Sequence, residues 1–165
     1  METTPLSKSD PGRPVLRHGG PSDLDAINRL ENEAFESDRI ARRSFARLLR
    51  SPSATVLVAE SCAAVEGCAV LLFRSYSRRC RLYSLAVARS ARGKGIGSAL
   101  LEAVEREASG RGCEAVGLEV REENHPAIAL YRRSGYELLG QTENYYSDGA
   151  TALHFRKALR EAGRR

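Results

Sequence analysis

Tryptophan is absent from the 165 residues, aromatics of all kinds make up 6%, and there is one methionine. So sparse an aromatic complement argues against a module that binds nucleic acid by stacking bases on side chains. Lysine is scarce as well: Lys8, Lys94 and Lys157 are the only three, so the 26 cations are almost all arginine. Those arginines are spread along the chain, and the net charge is +5 with a pI near 9.3. A diffuse excess of this kind attracts anions at low salt without marking a specific nucleic-acid footprint. No apolar run approaches the roughly 18 residues of a membrane span. The first 14 residues are polar and contain Pro5, Pro11 and Pro14, unlike a signal peptide. The four cysteines, Cys62, Cys68, Cys80 and Cys113, lack metal-ligand spacing and sit mostly in apolar runs. A reduced, cytoplasmic chain without a metal site or a membrane partner is the expectation.

What is present suits one domain. Hydrophobic residues make up 42% of the chain, enough for a core of ordinary size. The domain is expected over residues 15–159, between a flexible tail at 1–14 and a short tail at 160–165. Val15 to His18 reads as a strand. Ser22 is a candidate helix N-cap, and Leu24, Ile27, Leu30 and Ala34 recur at helical spacing from about Asp23 to Phe35. A second helical pattern, Ala41, Phe45, Leu48 and Leu49, stops before Pro52 and carries Arg42, Arg43, Arg47 and Arg50 on its other faces. These arginines read as a solvated face, or else as the lining of a substrate entrance. Strands follow at Thr55 to Glu60 and Cys68 to Phe73, joined through a stretch containing Gly67, and at Arg81 to Val87. A glycine-rich segment then opens a long helix through Leu100, Leu101, Val104 and Ala108, closed by Gly110 or Gly112. Ala115 to Val120 is a strand, Pro126 to Ser134 a helix capped by Gly135, and Tyr136 to Gln141 and Thr151 to Phe155 complete the strands. Antiparallel strands followed by strand–helix–strand–helix–strand make an α/β fold around a mixed sheet.

The most informative segment follows strand Arg81 to Val87: Arg92-Gly93-Lys94-Gly95-Ile96-Gly97. A glycine-rich turn between strand and helix exposes backbone N–H groups without intrahelical partners, and the helix dipole favours an anion there. The nucleotide P-loop is excluded because Gly95, rather than Ser or Thr, follows the only Gly-Lys pair. The dinucleotide fingerprint fails because Leu100 stands where its third glycine or alanine belongs, and the turn lies mid-chain. The pattern Arg92-x-x-Gly95-x-Gly97 instead resembles the acyl-CoA pyrophosphate loop of the GNAT superfamily of N-acetyltransferases. Asn124-x-x-Ala127-x-x-Leu130-Tyr131-x-x-x-Gly135-Tyr136 is similar to that family's second cofactor motif at every position. The resemblance covers about Val15 to Leu159. Leu118-Glu119-Val120-Arg121 and Asn144-Tyr145-Tyr146 resemble the RimI-like branch, which acetylates protein N-termini.

The resemblance implies a GNAT fold: a central, mostly antiparallel twisted sheet of about seven strands flanked by about four helices. It implies acetyl-CoA as cosubstrate, its pyrophosphate held by backbone amides of Arg92, Gly93, Lys94, Gly95, Ile96, Gly97 and Ser98. Leu85, Ala86 and Val87 would pair their backbones with the pantetheine arm, and Asn124 would hydrogen-bond it. Tyr131 would protonate the leaving thiolate. Glu119 matches the general base, with an ordered water as the alternative. Phe35, Tyr83, Tyr145 and Tyr146 would line the acceptor groove. Two departures stand out: the branch's Pro- and Trp-containing signature is replaced by Phe35-Glu36-Ser37-Asp38-Arg39-Ile40, and strand Arg81 to Val87 has no carboxylate.

Chemistry bears on these roles independently. Acetyl transfer needs a neutral amine, a proton acceptor, and an acid for the departing thiolate, each such group typically worth about 10²–10⁴-fold. A phenol with a pKa of about 10 is protonated at neutral pH. A carboxylate near about 4.3 lies roughly 8 kcal/mol from a lysine ammonium and roughly 5 kcal/mol from an α-ammonium, which favours the α-amine. The preferred acceptor is a peptide or protein N-terminus; a small amine or lysine side chain is the alternative, and a non-catalytic acyl-CoA-binding regulator a third. No cysteine lies in a nucleophile motif, so direct attack in a ternary complex is expected of a monomer or homodimer. Each residue also has a plainer reading: Tyr131 as a core aromatic, Glu119 as an ion-paired strand residue beside Arg121, Asn124 as a helix-entry residue, Tyr145 and Tyr146 as loop packing. His18, His125 and His154 read as structural or surface histidines.

Overall fold

A computed structural model describes residues 13–160. The elements are β1 (Val15–His18), α1 (Leu24–Ala34), α2 (Arg42–Leu48), β2 (Ala54–Ser61), β3 (Ala64–Phe73), β4 (Arg79–Val87), α3 (Ile96–Gly110), β5 (Ala115–Arg121), α4 (His125–Arg133), β6 (Glu137–Thr142) and β7 (Ala152–Ala158). Most of the two expected tails lies outside the described residues. The strands form one sheet in the order β1-β2-β3-β4-β5-β7-β6. Every neighbouring pair is antiparallel except β4 and β5, which run parallel. This is the mixed, mostly antiparallel α/β arrangement that the element order implies.

Period-two alternation divides the apolar residues of the central strands between two cores. On β2, Leu57 and Ala59 join Leu100, Leu101, Val104, Val116 and Phe155 beneath α3 and α4. Val56 and Val58 join Ile27, Leu30, Phe45 and Val70 beneath α1 and α2. The sheet is therefore covered on both faces at its centre, which explains the near-continuous apolar runs of β2 and β3.

Two local expectations are corrected. Ser22 does not cap α1: a short 3₁₀ turn, Pro21–Asp23, precedes the helix, and the Asp23 carboxylate accepts the Gly20 N–H at 2.8 Å. Arg17 donates to the same carboxylate at 2.8 and 2.9 Å and holds it well below the usual carboxylate range. Gly67 is not a turn residue either. The β2–β3 turn is Cys62-Ala63, with φ of 50° and 62°. Gly67 lies inside β3, where a Cβ would meet Leu100 Cδ1 at 2.8 Å and Ile96 Cγ2 at 2.9 Å. Its missing side chain lets the first turn of α3 lie on the sheet.

The feature that positions the site is a parting of strands. Parallel pairing of β4 with β5 runs only from Arg79↔Ala115 to Leu82↔Leu118. Beyond it, β4 stays with β3 as far as Val87, while β5 stays with β7 as far as Arg121. Opposite Val70 and Leu71 stand Ser84 and Leu82, so Tyr83 is the extra residue of a β-bulge, a device that bends its strand. The sheet opens there, and the β5-facing backbone edge of β4 beyond Leu82 is left without a strand partner.

Candidate active site

The opening between β4 and β5 is a cleft of about 140 Å³. β4 contributes Leu82 to Leu85; β5 contributes Glu119, Val120 and Arg121; α4 and its entry contribute Asn124, Ala127 and Tyr131. Glu31, Phe35, Ser37, Asp38 and Ile40, from α1 and the segment after it, close one end, and Tyr146 closes another. Among the expected residues, Leu85, Asn124, Tyr131, Glu119, Phe35, Tyr83 and Tyr146 thus come together. Tyr145 lies beside the cleft, its ring edge-on to Tyr146 at 5.0 Å. Ala86 is buried towards α1 and α2, so only its backbone is open to a ligand on this side. The arginines of α2 are not among the lining residues: Arg42 pairs with Asp25 at 2.5 Å, the behaviour of a solvated face.

Tyr131 is 6% exposed and packs against Tyr136 at 5.8 Å and Phe155 at 6.3 Å. Burial pushes its phenol far above the ordinary range, so it stays protonated throughout neutral pH. That is the state an acid requires, and the core packing fixes its direction. Burial also pushes the Tyr146 phenol up, to about 12, with Tyr145 adding to the effect.

Glu119 is ion-paired, but with Arg81 rather than Arg121. Arg81 Nε donates to Glu119 Oε2 at 2.9 Å, and Nη2 donates to the Tyr145 hydroxyl at 3.3 Å. Arg121 instead donates to Asp148 at 2.8 Å, Asp38 at 2.8 Å and Ser37 at 2.7 Å, and its guanidinium lies 4.4 Å from the centre of the Tyr146 ring. One arginine at the end of β5 thereby ties the segment after α1 to the β6–β7 loop, both of which border the cleft. Asn124 serves as the N-cap of α4, its side-chain oxygen accepting from the Ala127 N–H at 3.3 Å; the amide NH₂ remains to donate into the cleft.

The phosphate-loop candidates form a separate part of the site. Gly93 and Gly95 have φ of 78° and 79°, and a Cβ at either would find no atom within 4 Å, so their backbone faces open space. No side chain caps α3, which leaves its first-turn N–H groups without an intrahelical partner. Gly97 is constrained differently: a Cβ there would meet Leu130 Cδ2 of α4 at 3.0 Å. Lys94, Gly95 and Ser98 border a depression with Arg13, Arg106 and the carboxylate of Glu102.

Several functional candidates escape sequence reading. Glu31, 3% exposed, accepts the Ile40 N–H at 2.9 Å and the Ser84 hydroxyl at 3.1 Å, and burial raises its pKa. Its signal was available, since it lies on the apolar stripe of α1 one position after Leu30 and four after Ile27. Arg81 and His154 gave no local signal, because Glu119 and Thr142 reach them from other strands; Arg121 stood in a motif, but its loop partners could not be read from it. His18, by contrast, keeps to the surface, with Nε2 3.2 Å from Glu107. Among the described residues, no group of three or more His, Cys, Asp or Glu is placed to hold a metal ion.

Residues 24–136 match the family model of the Acetyltransferase (GNAT) family. An uncharacterised N-acetyltransferase of Methanocaldococcus jannaschii is 32% identical over 140 residues, covering 84% of this chain and 88% of that one. The ribosomal-protein-S18-alanine N-acetyltransferase of Escherichia coli is 25% identical with a TM-score of 0.80, covering 91% and 96% of the two chains. Ard1 of Thermoplasma volcanium is 27% identical with a TM-score of 0.82, covering 90% and 99%. With its sheet parted between β4 and β5 and a glycine turn leading into α3, the chain belongs to the GNAT family of acetyltransferases and is an acyltransferase.

Proposed function

We propose that the protein transfers acetyl from acetyl-CoA to the α-amine of a peptide or protein, by direct attack within the cleft. The observation that carries this reading is the cleft itself: one opening in the sheet is lined at once by a buried phenol, a carboxylate and a strand edge without a partner. When bound, acetyl-CoA supplies an acetyl group activated as a thioester. The free amides of residues 93–98 and the cations Lys94, Arg13 and Arg106 suit its phosphates. The open edge of Leu85 to Val87 and the Asn124 amide suit the amide groups of its pantetheine arm. Tyr131 donates its proton to the departing sulfur, and Glu119 takes the proton that the attacking amine gives up. Phe35, Tyr83, Tyr145 and Tyr146 border the path by which the amine arrives. The likeness to a ribosomal-protein-alanine N-acetyltransferase and to an N-alpha-acetyltransferase supports an N-terminal acceptor.

Acetylation of a free-amine peptide, followed by mass spectrometry with Tyr131→Phe and Glu119→Gln alongside, tests the assignment. Each substitution is expected to lower kcat by about 10²-fold or more while the melting temperature stays near that of the parent. Full activity in either variant would remove that residue from the chemistry.

A further inference from the structure

His154 belongs to no part of the reading above, yet its two ring nitrogens connect the cleft to the surface. It stands on β7 directly across from Glu119 of β5. Nδ1 is 3.8 Å from Glu119 Oε1, and Nε2 is 2.7 Å from Thr142 Oγ1 on β6. The other oxygen of Glu119 is taken by Arg81 Nε at 2.9 Å, so Oε1 is the oxygen free to receive a proton. The Glu119 side chain is 22% exposed and that of His154 32%, so the imidazole is the more open of the two. Tyr145 lies edge-on to the imidazole at 6.1 Å, and Arg156 is two residues along β7 on the same face. The charged and titratable groups around His154 are therefore Glu119, Arg81, Tyr145 and Arg156.

We propose that His154 is a positioning residue that carries the reaction's proton from Glu119 to solvent. This rests on the acetyl-transfer reading. The amine nitrogen bonds to the acyl carbon, the carbon–sulfur bond breaks, and the Tyr131 hydroxyl proton goes to sulfur. The proton left on nitrogen passes to Glu119 Oε1 and then to His154 Nδ1. The imidazolium releases a proton from Nε2 by way of the Thr142 hydroxyl, proton exchange with solvent at the part-exposed ring moves the remaining proton from Nδ1 back to Nε2, and Tyr131 recovers one from water. Glu119 is then a carboxylate again for the next turnover. The transfer uses the tautomer in which Nε2–H donates to the Thr142 hydroxyl and the Nδ1 lone pair faces Glu119; the 2.7 Å contact accommodates it, since a hydroxyl both accepts and donates.

Steady-state acetylation by His154→Ala and His154→Gln, with and without added free imidazole, is the test. In both variants kcat should fall by about tenfold or more with an unchanged KM for acetyl-CoA. Free imidazole should restore most of the loss in His154→Ala, where it has room, and none in His154→Gln. In a Glu119→Gln background, His154→Ala should cost nothing further. An unchanged kcat in folded His154→Ala, a loss that imidazole does not restore, or full activity in His154→Gln would overturn the relay. Absence of turnover by the parent chain would remove the acetyl-transfer reading itself, a different failure.

Discussion

A carboxyl group on the apolar stripe of a helix has to find partners or hold its proton more tightly than in water, and both apply to Glu31. It holds the Ile40 N–H and the Ser84 hydroxyl, and burial raises its pKa. Above the ordinary carboxylate range, the unfolded chain has released this proton while the folded chain retains it. Stability therefore falls with rising pH through that interval, until Glu31 ionises in the fold as well. Glu31→Gln keeps both contacts, since its oxygen still accepts from Ile40 and its NH₂ donates to Ser84. Melting curves from pH 4 upward should show the variant's advantage growing through the interval and then levelling; a difference independent of pH would contradict the assignment. At this scale the sequence was readable where a motif carries a side chain at fixed spacing: Tyr131 and Asn124 sit where the pattern puts them. It was unreadable where strand pairing makes the neighbour. Nothing local in Arg81, Glu119 and His154 tells that three strands bring them within a few ångströms.

Among the elements, α3 has the tightest demand on its surroundings. Its first turn rests on Gly67 of β3, where a methyl group would fall 2.8 Å from Leu100 and 2.9 Å from Ile96. Gly67→Ala should cost about 1–3 kcal/mol by overpacking, read as a lower urea midpoint at an unchanged slope. Because the displaced residues begin α3, the KM for acetyl-CoA should rise as well. A midpoint equal to the parent's would show that the contact relaxes freely. Element type and order followed from hydrophobic periodicity; the sequence left the end of α3 to Gly110 or Gly112, of which Gly112 has the positive φ, and the end of α4 followed from Gly135. The antiparallel β2–β3 pairing followed as well, but Gly67, expected in the connection, lies inside β3 and makes room for a helix. The turn itself falls on Cys62 and Ala63, residues without a turn preference.

The whole molecule is a sheet held closed by two cores and open at one seam. Helices α1 and α2 cover one face, α3 and α4 the other, and β4 and β5 part after four paired positions. No helix among the described residues is long and apolar enough to cross a membrane. The family was legible because the glycine turn and the α4 motif lie on consecutive strand–helix units. The seam was not, since it depends on the bulge at Tyr83 and on β7 drawing β5 away. On the proposed function, this seam delivers acetyl to an α-amine. The most direct measurement offers the protein acetyl-CoA and an equimolar pair of peptides of one sequence, read by mass spectrometry. One has a free N-terminus and no lysine; the other is Nα-blocked and carries a single lysine. Acetylation of the free N-terminus, with the blocked peptide left unmodified, is the predicted result. Preferential acetylation of the blocked peptide would contradict the account and place the lysine side chain as acceptor.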